Sequence, residues 1–181
     1  MNKTEIRNKI IKIRKKKFDK DLQINLSKFI SFLKIDKLNL KSIGGYYPSN
    51  YEIDDLDILD LLEKKKFKIS LPIVKKKNQM NFYSWSRNDP LKINKFGIPE
   101  PVSTKVFHPD ILLVPLVGYD SYLNRLGYGG GYYDRYIEKI EKIKKVIKIG
   151  LAFSFQKISS IPINQYDKKL DFIVTEKEIL K

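Results

Sequence analysis

Cysteine is absent from the chain, so it has no disulfide framework, no thiolate zinc site and no cysteine nucleophile, and a reducing compartment is allowed. There is a single histidine, His108 beside Pro109, which excludes a histidine-based metal cluster and reads as a loop or packing residue. Long hydrophobic runs are missing too. The longest, Ile111 to Val117, is broken by Pro115 and falls far short of the ~20 residues that cross a bilayer. The opening twenty residues are too rich in lysine to hold the apolar centre of a signal peptide. A cytoplasmic protein without a membrane partner is the expectation.

Acidic residues are scarce, with 21 Asp and Glu against 36 Lys and Arg, a formal net charge of +15. Such a surplus attracts polyanions: nucleic acid, nucleotides, anionic membranes or polyacidic small molecules. Charge alone does not choose among them. Most of the surplus is lysine in short runs (Lys15 to Lys17, Lys64 to Lys66, Lys75 to Lys77) and reads as solvated surface. A length of 181 residues with 42% hydrophobic content suits one buried core, so one domain over residues 1–181 is expected.

Apolar residues at steps of three and four (Ile6, Ile10, Ile13, then Phe18, Leu22, Leu26, Phe29, Ile30, Leu33) predict two amphipathic helices at the N-terminus. A strand follows at Ser42 to Tyr47. Asp54 to Lys66 carries acids at its start and lysines at its end, a helix matched to its own dipole. Strands are predicted at Phe67 to Val74 and Met80 to Trp85, with Ile93 to Val106 broken into loop by Pro99, Pro101 and Gly97. Ile111 to Val114 reads as a strand buried on both faces, Ile137 to Ile143 as helix, and Ile147 to Phe153 and Phe172 to Val174 as the last strands. The alternation predicts an α/β fold: an open, largely parallel sheet with helices on both faces, a Rossmann-like three-layer arrangement. Sites in such sheets lie at the carboxyl ends of the strands.

The segment with the clearest chemistry is RLGYGGGYYDR, Arg125 to Arg135, placed after the buried strand and opening a helix. Glycines let successive N–H groups approach an anion without interference from Cβ, and a helix N-terminus adds partial positive charge. A polyphosphate suits that cradle. No Gly-Lys-Ser/Thr follows, so it is not a P-loop, and Tyr132 stands where a dinucleotide fingerprint needs its last glycine. By pattern alone the segment also fits a tight connection.

RLGYGGGYYDR resembles the signature of the 5-formyltetrahydrofolate cyclo-ligase family. Further pieces agree in order: Lys3 with Arg7, YYPSNYEID (Tyr46 to Asp54), Leu71-Pro72, Met80 with Phe82, GIPEP (Gly97 to Pro101), and PDILLVPLVGYD (Pro109 to Asp120). The resemblance covers essentially the whole chain. It implies an enzyme that uses ATP and Mg²⁺ to convert 5-formyltetrahydrofolate, with or without a polyglutamate tail, into 5,10-methenyltetrahydrofolate, releasing ADP and phosphate. It also implies a small-molecule substrate rather than nucleic acid, and a monomer. Two other functions compete with it: a basic nucleic-acid-binding module with interleaved aromatics, and a different ATP-dependent kinase or ligase on the same scaffold.

By the same resemblance Lys3, Arg7, Arg125 and the loop Leu126, Gly127, Tyr128, Gly129, Gly130, Gly131, Tyr132 and Tyr133 contact ATP. Tyr47, Glu52 and Tyr128 to Tyr132 border the folate, Asp134 and Asp167 hold Mg²⁺, and Arg125 and Asp134 serve catalysis. Taken without the resemblance, Lys3 and Arg7 are a solvated helix face, Asp134 is a first-turn acid, and Asp167 is a turn residue. Met80, Phe82 and Trp85 fit either a folate wall or the core.

Overall fold

The computed structural model describes residues 1–33 and 40–181. Helices α1 (Lys3–Lys17) and α2 (Leu26–Leu33) come first. Asn2 caps α1 through its side chain, which accepts from the Thr4 and Glu5 N–H groups, and Glu5 returns the bond to the Asn2 backbone. Strand β1 (Ser42–Gly44) leads to helix α3 (Leu56–Lys64) and strand β2 (Lys68–Val74). Strands β3 (Met80–Ser84), β4 (Leu91–Ile93), β5 (Pro99–Pro101), β6 (Val106–Phe107) and β7 (Ile111–Pro115) follow. The short strands β8 (Gly118–Tyr119) and β9 (Arg125–Leu126) precede helix α4 (Tyr132–Glu141), then β10 (Ile147–Leu151), β11 (Phe172–Val174) and β12 (Ile179–Leu180).

Eight strands form one sheet in the order β12-β11-β10-β7-β1-β2-β3-β6. Its five central strands, β11 to β2, run parallel, β12 at one end and β3 at the other run against them, and β6 pairs antiparallel with β3. The mostly parallel α/β sheet expected from the alternation is therefore what the chain forms. Burial on both faces explains the continuous apolar run of β7. Ile111 and Leu113 pack with Phe29, Leu33, Ile58, Leu59 and Leu62 from α2 and α3. Leu112 and Val114 pack on the opposite face with Tyr136, Ile137 and Ile140 of α4.

Several expectations need correcting. Strand β1 ends at Gly44 rather than Tyr47, because the Tyr46 N–H donates to Asp55 Oδ2 at 3.0 Å instead of to a neighbouring strand. The region expected to be loop contains the β4–β5 hairpin, with Leu91 opposite Pro101 and Ile93 opposite Pro99. Prolines are tolerated there because the two strands form a separate small sheet with unpaired outer edges. Met80, Phe82 and Trp85, left open between a folate wall and the core, are buried in core clusters at 4%, 0% and 6% exposure, so no correction is needed there. Helix α4 opens within the glycine-tyrosine segment as expected, with Asp134 in its first turn, but ends at Glu141 and leaves Ile143 exposed beyond it.

Candidate functional site

From β1 the chain crosses to β2 on one side, and later returns to β7 on the other side of β1. Such a reversal of strand order opens a crevice beyond the carboxyl ends of the two neighbouring strands. Three segments converge there: the stretch from Gly45 to Asp55 after β1, the stretch from Leu116 to Arg135 after β7, and one face of α1.

The stretch after β7 is built around a hairpin. Buried Asp120 accepts from the N–H groups of Tyr122 (2.9 Å), Asn124 (3.1 Å) and Ile161 (3.1 Å), which fixes the turn between β8 and β9. Arg125, 8% exposed, then emerges on β9 and donates to Asp134 Oδ1 at 2.7 Å. Its guanidinium stands 5.8 Å from the Tyr133 ring centroid, and its Nε is buried without a partner. An orphaned guanidinium N–H beside a glycine loop fits a phosphate oxygen.

The loop itself depends on glycine at two positions. Gly129 has φ +100° and Gly131 has φ +66°, a region that costs an L-residue about 1–2 kcal/mol. Gly131 is also the N-cap of α4 and offers no side-chain oxygen to the first-turn N–H groups, which leaves that helix end suited to an anion. Arg135 donates to the Gly130 carbonyl and to the Asn78 carbonyl (3.0 Å), bracing the loop from below, while Tyr132 donates its hydroxyl to Asn78 Oδ1 at 3.2 Å.

Helix α1 lies along this loop. Ile6 and Ile10 pack with Val117, Leu126 and Ile161, which orients the stripe Lys3, Arg7 and Arg14 toward the site. Arg7 Nε donates to the Gly127 carbonyl at 2.8 Å, and its guanidinium would lie 3.4–3.6 Å from a side-chain carbon placed at Gly129. Lys3 pairs with Asp167 Oδ2 at 2.5 Å. The N–H of Lys168 donates to Asp134 Oδ1 at 3.1 Å, so the turn carrying Asp167 abuts Asp134. The structure thus brings the two carboxylates into one neighbourhood. Among the described residues no cluster of three or more His, Cys, Asp or Glu could hold a metal unaided. Two carboxylates completed by phosphate oxygens and water are the donor set that suits Mg²⁺.

Glu52 lies on the other side of the crevice, 7% exposed, with Oε2 accepting from Ser49 N–H at 2.8 Å. Burial pushes its carboxyl upward, opposed by the Ser49 bonds, by the Tyr128 hydroxyl and by Arg14. Tyr47 is half-buried next to Tyr46, whose hydroxyl donates to the Ile53 carbonyl at 2.9 Å. Asp55, fully buried, accepts from Tyr46 N–H at 3.0 Å through Oδ2 and leaves Oδ1 unpartnered. Burial raises the Asp55 carboxyl and the Tyr133 phenol well above their usual ranges.

Sequence reasoning brought Lys3, Arg7, Arg125, the glycine loop, Glu52, Asp134 and Asp167 to this crevice, and it missed Arg14, Asp55 and Asn78. A signal for Arg14 was present. It stands seven residues after Arg7 on the same helix face, and in a lysine-dominated chain Arg7, Arg14, Arg125 and Arg135 all gather here, leaving only Arg87 elsewhere.

A mostly parallel α/β sheet carries a cationic glycine loop on one side of its switch point and a buried carboxylate on the other, the place where enzymes of this architecture bind small molecules. The 5-formyltetrahydrofolate cyclo-ligase family model matches residues 1–176, and the chain belongs to that family of ligases. A 5-formyltetrahydrofolate cyclo-ligase of Haemophilus influenzae is 32% identical over 143 residues, covering 75% of this chain and 76% of its own length. The 5,10-methenyltetrahydrofolate synthetase of Aquifex aeolicus superposes with a TM-score of 0.76 at 30% identity, over 99% of this chain and 92% of that one. That of Mycoplasma pneumoniae gives 0.74 at 27% identity, over 98% and 100%.

Proposed function

We propose that the chain catalyses the ATP- and Mg²⁺-dependent cyclisation of 5-formyltetrahydrofolate to 5,10-methenyltetrahydrofolate, with release of ADP and phosphate. The observation that carries this reading is the meeting, in one crevice, of the Arg7–Arg125 glycine cradle with the buried Glu52 carboxylate. The formyl oxygen is a poor leaving group. Transfer of the γ-phosphoryl group onto it makes it a good one, and attack by N10 on the formyl carbon then closes the ring and expels phosphate.

Most of the protein's work is placement and charge neutralisation. Arg125 and Arg7, with the loop N–H groups of Gly127 to Tyr133, hold the triphosphate. Asp134 and Asp167 would bind Mg²⁺, which neutralises charge building up between the phosphates. Glu52 accepts hydrogen bonds from polar N–H groups of the reduced pterin and thereby orients N5 and N10 toward the cradle. Tyr47 and Tyr132 border the ring system. One domain and one copy of the chain suffice for these contacts, and no described helix is long and apolar enough to cross a membrane.

The test is formation of the methenyl product, followed by its absorbance, with purified protein and 5-formyltetrahydrofolate. Product appears only when ATP and Mg²⁺ are both present. Equal product without ATP would refute the reading, and steeply salt-dependent binding to nucleic acid with no turnover would favour the nucleic-acid module instead.

A further inference from the structure

Arg14 has no assignment in the reaction, yet it is among the most deeply buried charges of the chain, at 1% exposure. A buried guanidinium is expensive unless its N–H groups find acceptors. One of its terminal nitrogens donates to the Leu116 carbonyl at 3.1 Å, just past the end of β7. The other donates to the Tyr128 hydroxyl, and the guanidinium lies 5.5 Å from the Tyr128 ring centroid. That hydroxyl in turn lies against the Glu52 carboxylate. A continuous polar chain therefore runs from α1 through the glycine loop to the stretch after β1. Among the described residues no carboxylate forms an ion pair with Arg14.

We infer that Arg14 is a positioning residue which, by holding the Tyr128 hydroxyl against Glu52, fixes the orientation of the carboxylate proposed to receive the folate. The inference rests on the proposed role of Glu52. It gives α1 two duties: Lys3 and Arg7 serve the nucleotide side, and Arg14, two to three turns further on, serves the folate side. It also gives Tyr128 a purpose in its hydroxyl rather than in its ring, which is 39% exposed as a residue.

The charges facing Glu52 set the direction of the test. Tyr46, Asp55 and Tyr133 surround the same pocket of the crevice; of these, Asp55 opposes a charge on Glu52, whereas Arg14, Tyr128 and the Ser49 donors favour it. Burial already raises the Glu52 carboxyl, so its ionised form is lost as pH falls through that raised value. Removing a favourable neighbour raises it further. Folate affinity should then begin to fail at a higher pH.

Dissociation constants for 5-formyltetrahydrofolate, measured without nucleotide across pH 5 to 9, test this on the parent, Tyr128→Phe, Arg14→Lys, Arg14→Met and Glu52→Gln. Tyr128→Phe keeps the ring and is decisive even if the Arg14 variants fold poorly. Its affinity is expected to drop about two- to tenfold on the acid side of the transition, the worth of one hydrogen bond, with the transition displaced upward. Arg14→Met moves it further than Arg14→Lys, which retains the charge, and Glu52→Gln flattens the curve. Superimposable curves for the parent and Tyr128→Phe, with a flat Glu52→Gln curve, overturn this inference alone. A Glu52→Gln curve that keeps the parent's pH dependence overturns the Glu52 role and this inference together.

Discussion

Replacing Asp167 by asparagine isolates the proposed metal contact better than any other single change. Asp167 Oδ2 accepts from Lys3 Nζ at 2.5 Å and from the Asn164 N–H at 2.6 Å. An asparagine oxygen can keep the second bond, so the turn is retained and what is lost is one unit of negative charge. Both Lys3 and Asp167 side chains are about a quarter exposed (26% and 25%), so losing their ion pair costs about 1 kcal/mol or less of folding stability. A contact between Mg²⁺ and a carboxylate is a charge-assisted one, and exchanging it for a neutral amide forfeits about 1.5–3 kcal/mol. At ~1.4 kcal/mol per tenfold, that predicts a rise of about tenfold to a hundredfold in the Mg²⁺ concentration giving half-maximal turnover. The assay is initial rate against Mg²⁺ at saturating ATP and folate, with a thermal melt of each protein as control. Folate affinity without nucleotide stays at the parent's value. Overlapping Mg²⁺ titrations for Asp167→Asn and the parent would refute the reasoning and return Asp167 to a turn residue tied to Lys3. Asp134→Asn is a less clean probe, because Asp134 also holds Arg125 and the Lys168 N–H.

Arg125→Ala removes a guanidinium whose Nε is orphaned at the loop, and should weaken ATP binding by about tenfold to a hundredfold, the value of a charge-assisted phosphate contact, as read by nucleotide titration calorimetry. An unchanged ATP dissociation constant would remove Arg125 from the cradle. Gly131→Ala forces a side chain onto φ +66° and places Cβ 2.8 Å from Arg135 Nη1. It should cost about 1–2 kcal/mol in denaturant unfolding and loosen ATP binding as well. Parental stability in that variant would show that the loop relaxes without cost.

Local signals survived the passage from sequence to structure wherever the physics was local. The apolar run of β7, the acid-first and lysine-last charge of α3 and the positive-φ glycines of the loop each follow from neighbours within a few residues. What stayed hidden depends on partners far along the chain. In sequence Arg14 is one more cation on a lysine-rich helix, and only the Leu116 carbonyl and the Tyr128 hydroxyl, 102 and 114 residues away, make burying it tolerable. Met80 and Phe82 alternate as a strand should, but whether their face meets folate or core is decided by β6 pairing outside β3 and by Tyr133 and Tyr136 packing on Phe82, while Trp85, of opposite parity and just past the strand, packs in the other core cluster. The pairing of Asp134 with the turn of Asp167 had no signature in spacing and came only with the family resemblance. The bond from Lys168 N–H to Asp134 supplies the physical reason, since it forms only where the connection between β10 and β11 is laid against the start of α4. A site assembled at a topological switch point is bound to be read this way, its cradle from one segment and its remaining ligands from the fold.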